Sequence, residues 1–124
     1  MNRTLLKQII LLKHYNTVSA VIPINRAKYS VGDIVNHRLF GYRGVIFDAD
    51  ASFQLTEEWY DAVARSRPPK DRPWYHVLVE GSDTTTYVAE RNLDRDHSGQ
   101  PIDNPMVDEL FTRFKNGRYE RDIQ

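Results

Sequence analysis

Four side chains have the types that acid–base or metal chemistry uses: His37, Asp48, Asp50 and His76. Two imidazoles and a carboxylate can together ligate a divalent cation. Two carboxylates two residues apart on a strand share a face, as paired acid–base groups must. Neither pattern is complete. No set of three shows a recognised ligand spacing, and acid–base work needs a pocket and separated pKa values. Imidazoles hydrogen-bonded within the fold, and carboxylates on a solvated edge, account for the same residues. No candidate nucleophile has an identifiable base, there is no cysteine, and Gly41 with Gly44 is not a phosphate-cradling loop. His14 and His97 fall in a tail and a polar loop. These residues predict a protein that is not an enzyme, with no catalytic residue, metal or cofactor assigned.

What remains is a binding surface, and two are candidates. Arg38, Tyr42 and Arg43 cluster on one turn with His37 alongside; guanidiniums flanking an aromatic ring can contact phosphate and stack on a base or sugar. Solvated arginines, with Tyr42 covering the end of a barrel, are the plainer reading of the same turn. The second surface is aromatic. Trp59, Tyr60, Trp74 and Tyr75 exceed what a small sheet needs to bury, and such side chains anchor protein partners. An exposed sheet edge could likewise pair with a second copy, making a homo-oligomer, or with an extended peptide.

These residues are positioned by two hairpins. Ile34–His37 and Gly44–Ala49 read as short strands around a turn bracketed by Gly41 and Gly44, positions suited to positive φ or close approach. Val45 and Phe47 then face one side, Ile46 and Asp48 the other, which predicts one buried face and one wetter face. Trp74–Glu80 is apolar enough to be central and returns as Thr84–Glu90 across Gly81-Ser82-Asp83. Asn92 and Leu93 begin a last short strand. Between the hairpins, Thr56 caps a short helix with Glu57 and Glu58 in its first turn, and Pro68 and Pro69 end it. The insertion from Asp50 to Arg72 is the segment expected to be most mobile. Near the end, Asn104 and Pro105 start a helix, Val107, Leu110, Phe111 and Phe114 form its apolar stripe, and Asn116-Gly117 stops it. The expectation is a mainly β (α+β) fold. It comprises a small, strongly bent antiparallel sheet closed as an SH3-like barrel of about five strands, a short inserted helix and a C-terminal helix.

The chain of 124 residues suffices for one domain with a modest core. Its zero net charge conceals an asymmetry. Five of the 17 basic residues lie in the first 32 positions, which hold no acidic residue, leaving 12 basic against 17 acidic and a net of −5. A net-acidic body argues against duplex binding unless a local basic patch forms. Leu5, Leu6, Ile9, Ile10 and Leu12 fit one face of a short helix, but Lys7 and Lys13 make this run too charged to span a membrane. Residues 1–26 are expected to be a mobile extension, with a targeting segment as the alternative. No membrane contact is expected, and the absence of cysteine fits a reducing, cytoplasmic location.

Three motifs occur in order: HRLFGYRGVIFD from His37, PWYHVLVE from Pro73 and TYVAERNL from Thr86. Together they resemble the heat shock protein HspQ family, also called YccV-like or hemimethylated-DNA-binding. The resemblance covers Ala27 to Phe114 and implies a domain at 27–118, with 119–124 as a C-terminal tail and residues 1–26 as an extension from a mis-called start. It implies two functions of different class. One is a stress-linked factor that modulates proteolysis by a Lon-type protease, with the protease or its substrates as partners. The other is binding of double-stranded, hemimethylated DNA, for which the turn bearing Arg38, Tyr42 and Arg43 is the candidate. The candidate binding surface is thus His37, Arg38, Tyr42, Arg43, Trp59, Trp74, Tyr75 and His76.

Overall fold

A computed structural model of the protein describes residues 27–122. The expectations for residues 1–26 lie outside the described residues. A strand whose two sides are both apolar must be covered on both, and Trp74–Val79 is such a strand. It forms β3, at the centre of the packing. On one side it pairs with β2 (Arg43–Asp50) and on the other with β4 (Thr85–Ala89). β1 (Ile34–His37) joins the far side of β2, and β5 (Leu93–Arg95) joins β1, giving an antiparallel sheet of order β4-β3-β2-β1-β5.

The two predicted hairpins are therefore present, and the bracketing glycines divide their work. Gly41 has φ +76°, with nothing near a would-be Cβ. Gly44 is a close-approach position instead: a Cβ there would lie 2.4 Å from Val77 Cγ1 and 2.5 Å from the Leu78 carbonyl oxygen. A bulge between Ile46 and Asp48 bends β2.

Both faces of the sheet are buried, so the expected wetter face does not exist. Ile34, Val45, Phe47 and Leu78 pack under the C-terminal segment with Ile102, Val107, Leu110 and Tyr119. On the other face Val35, Ile46, Tyr75, Val77 and Val88 pack with Tyr29 and Leu93. The insertion covers the other end of the first face, where Trp74 and Tyr87 continue the row of Leu78 and His76. Its helix α1 (Glu57–Val63) starts at Thr56, whose Oγ1 accepts from the Trp59 N–H at 3.1 Å, as predicted. The Tyr60 hydroxyl donates to the Pro68 carbonyl at 2.8 Å and the Trp74 indole N–H to that of Pro69 at 3.0 Å. Tyr60, Trp74, Phe53, Trp59 and Tyr87 form one aromatic cluster.

Two further expectations are corrected. The sheet does not close into a barrel. β4 and β5 are its two edges, joined by one 3₁₀ turn at Glu90–Asn92 that carries the chain from one edge to the other without laddering them. The C-terminal helix is also a single turn, α2 (Val107–Leu110). Phe111 is already extended, with φ −128°, and the chain continues as a hairpin of β6 (Arg113–Lys115) and β7 (Arg118–Glu120). Asn116-Gly117 was expected to stop a helix; both residues take positive φ (54° and 78°) and make the two-residue turn of that hairpin instead. The reason lies in burial: Tyr119 at the centre of β7 fills the space under the sheet, and its hydroxyl accepts from the Ile102 N–H at 2.9 Å.

Candidate functional site

On the face of the sheet turned toward α1, the register sets Asp48 opposite His76 and His76 opposite Tyr87. Asp50 completes the row. The Tyr87 hydroxyl donates to Asp50 Oδ2 at 2.7 Å, and His76 Nε2 lies 3.3 Å from the same oxygen. The Tyr87 hydroxyl in turn accepts from the Gln54 N–H at 3.1 Å. Burial, reinforced by the charge of Asp50, pushes the Tyr87 phenol well above its ordinary value, so it stays a neutral donor. Ligand-type atoms of Asp48, Asp50 and His76 fall within 4.8 Å of one another. His37 does not join them. Its Nδ1 accepts from the N–H groups of Leu39 and Phe40, both at 3.1 Å, and burial lowers its pKa, which keeps that nitrogen free of a proton. Two strand histidines thus have different tasks: one fixes a turn, the other belongs to a hydrogen-bonded row.

Asp50, His76 and Tyr87 of this row lie on the floor of a groove of about 1150 Å³. One wall is the tip of the first hairpin, where Leu39 and Phe40 are exposed, Phe40 at 78%, with its ring stacked on His37 at 4.6 Å. The other wall is the insertion, with Leu55, Trp59 and Val63. Four of the five large apolar side chains exposed among the described residues border this one groove. The aromatic residues singled out from the sequence separate here. Trp74 and Tyr75 are core, 1% and 0% exposed, and Tyr60 is buried, whereas Trp59 is half-buried at the wall.

The turn residues separate too. Tyr42 points across the sheet to Thr86, hydroxyl to hydroxyl at 2.8 Å. Arg43 is instead held through both of its terminal guanidinium nitrogens. It meets Glu80 at 2.6 Å and Asp96 at 3.2 Å and donates to the carbonyl of Gln100 at 2.6 Å, clasping the loop after β5. Arg38 remains on the surface, 3.5 Å from Asp94 in an exposed pair and donating to the Arg91 carbonyl at 3.2 Å. With Lys28, Arg72 and Arg91 it lines a cleft of about 260 Å³, whose acidic member is Glu90. The Glu90 carboxylate accepts from the Tyr75 hydroxyl at 2.6 Å and from the Lys28 N–H at 2.9 Å. Lys28, Arg72 and Arg91 carry no sequence signal as a group. They come from three widely spaced segments, and only the chain's return past β1 gathers them beside Arg38.

The cleft and the groove are neighbours that share Ala89, with Arg38 in the one and Leu39 in the other. Among the described residues no helix is long and apolar enough to cross a membrane. A family model described as YccV-like, hemimethylated DNA-binding protein YccV like, matches residues 27–118. That description names a binding partner and no reaction, in keeping with a non-enzymatic protein. The match spans nearly three quarters of the sequence and all but the last residues of the β6–β7 hairpin, so the chain belongs to the YccV-like family.

Proposed function

We propose that the protein is a non-enzymatic binding module for duplex DNA, and that the cleft formed by Lys28, Arg38, Arg72 and Arg91 is its phosphate-contacting surface. The observation that carries the reading is the concentration of four cations around one depression on a body whose overall balance is acidic. Phosphate affinity comes from such a local patch rather than from net charge. The family description supplies the form of DNA, hemimethylated. The test is titration of one duplex, hemimethylated or unmethylated, at several salt concentrations. Three to four phosphate contacts give a slope of log K against log salt on the order of −3. A flat salt dependence refutes the interface, and equal affinity for the two duplexes refutes the hemimethylation preference.

The groove favours a second reading, contact with proteins, because its exposed apolar walls suit side chains rather than phosphates. In this reading the protein modulates a Lon-type protease or presents that protease's substrates. Degradation of a model substrate with and without the protein tests it, and an unchanged rate refutes it.

A further inference from the structure

The groove is more specific than an apolar patch, because it runs along a free sheet edge. All five residues of β4, Thr85 to Ala89, line it, although successive side chains of a strand point to opposite faces. Thr86 faces Tyr42 and the layer of Val77 and Val88, while Tyr87 faces Trp59 and Trp74. A cavity that touches both sets must wrap over the strand's outer edge. The hydrogen bonds give the same direction. The Val79 N–H donates to the Thr84 carbonyl and the Glu90 N–H to that of Pro73, both at 3.1 Å, bracketing the β3–β4 ladder. Alternate residues therefore turn their backbone toward β3, and Thr85, Tyr87 and Ala89 turn theirs outward into the groove. No strand among the described residues lies on that side.

We propose that the groove takes an extended, apolar segment of another polypeptide, which adds to the sheet as a sixth strand alongside β4. The inference rests on the reading of the groove as a protein-contact surface. Unpaired amides and carbonyls in a row select an extended backbone, which a duplex does not offer. The walls then select the side chains. On an added strand, alternate side chains would meet Leu39 and Phe40 on one side and Leu55, Trp59 and Val63 on the other. Both sets meet apolar surface, so the preferred segment is apolar at consecutive positions rather than at every second one. Such runs are exposed when a protein unfolds and buried once it folds.

The probe is a synthetic peptide of five alternating valines and leucines between terminal lysines, added to the full chain. Binding is expected to slow hydrogen exchange at the Thr85, Tyr87 and Ala89 amides at least tenfold. The same peptide N-methylated at its three central amides keeps its side chains, loses its donors and is expected not to bind. Leu39→Ser and Val63→Lys, both at exposed positions, are each expected to weaken binding at least tenfold. Equal binding of the methylated peptide, or protection elsewhere, overturns strand addition. Protection of those amides by self-association without peptide also overturns it, assigning the edge to a second copy. A protein whose effect on the protease depends on Leu39 and Val63, but which fails the peptide test, keeps the protein-contact reading and loses this one.

Discussion

Replacing Arg43 with alanine separates structure from binding on the first hairpin, because Arg43 and Arg38 lie five residues apart and serve different ends. Asp96 sits against Arg43 with its side chain 7% exposed. Burial by itself would raise its pKa, but hydrogen bonds from Ser98, Arg43 and Asn36 outweigh burial and hold it at about 2, against an ordinary 3.8. A depressed carboxyl stabilises the fold at pH values above 3.8, and that stabilisation is lost as pH falls through about 2. The full depression corresponds to about 2 kcal/mol at neutral pH, of which Arg43, as one of four donor groups on three residues, supplies about 0.5–1 kcal/mol. Losing the Glu80 contact and the hydrogen bond to the Gln100 carbonyl adds about 1–2 kcal/mol. Arg43→Ala is therefore expected to cost about 1.5–3 kcal/mol by urea denaturation at pH 7. The Asp96 part falls to about half by pH 3, where the ordinary carboxyl is mostly protonated already. The same variant, measured folded, keeps its affinity for DNA within about twofold, since Arg43 does not line the cleft. A loss under about 0.5 kcal/mol at pH 7, a loss unchanged at pH 3, or a large drop in DNA affinity would each refute the reasoning.

Arg38→Ala, by contrast, is expected to leave stability unchanged within about 0.5 kcal/mol, because its pair with Asp94 is exposed. It should weaken duplex binding and flatten the salt slope by about one, read from titrations at several salt concentrations. Gly44→Ala forces a methyl group into Val77 and the Leu78 carbonyl and is expected to cost about 2 kcal/mol or more by denaturation. His37 carries a lowered pKa through burial, so its contribution to stability is complete above 6.5 and fades as pH falls through the folded value. An NMR titration should show the Leu39 and Phe40 amides shifting together with the His37 ring, because protonation at Nδ1 removes their acceptor.

Much of the scaffold was legible in order of residues alone. Trp74–Val79 is apolar on both sides and had to be central; Thr56 with Glu57 and Glu58 had to open a helix; Gly41 and Gly44 had to bracket a turn. Each of these depends on neighbours within a few positions, where propensity and periodicity act. The misread elements depended on distant partners. The stripe Val107–Phe114 fits a helix in isolation, but Tyr119 needs the space beneath the sheet, and residues 113–120 become a hairpin to place it there. Barrel closure turns on whether β4 meets β5, a pairing of edges that no local pattern encodes.

The candidate site divides in the same way. The sequence alone determined which side chains were at hand: the histidines, the turn arginines, the aromatics and the motifs that mark the family. Only the tertiary structure decided what each one does, because charge and burial are set by whatever folds back against a residue. Asp96 and Glu80 took Arg43 out of the surface; Lys28, Arg72 and Arg91 came from far along the chain to make Arg38 part of a cleft. Trp74 and Tyr75 went into the core, and the free edge of β4 was left open between two apolar walls.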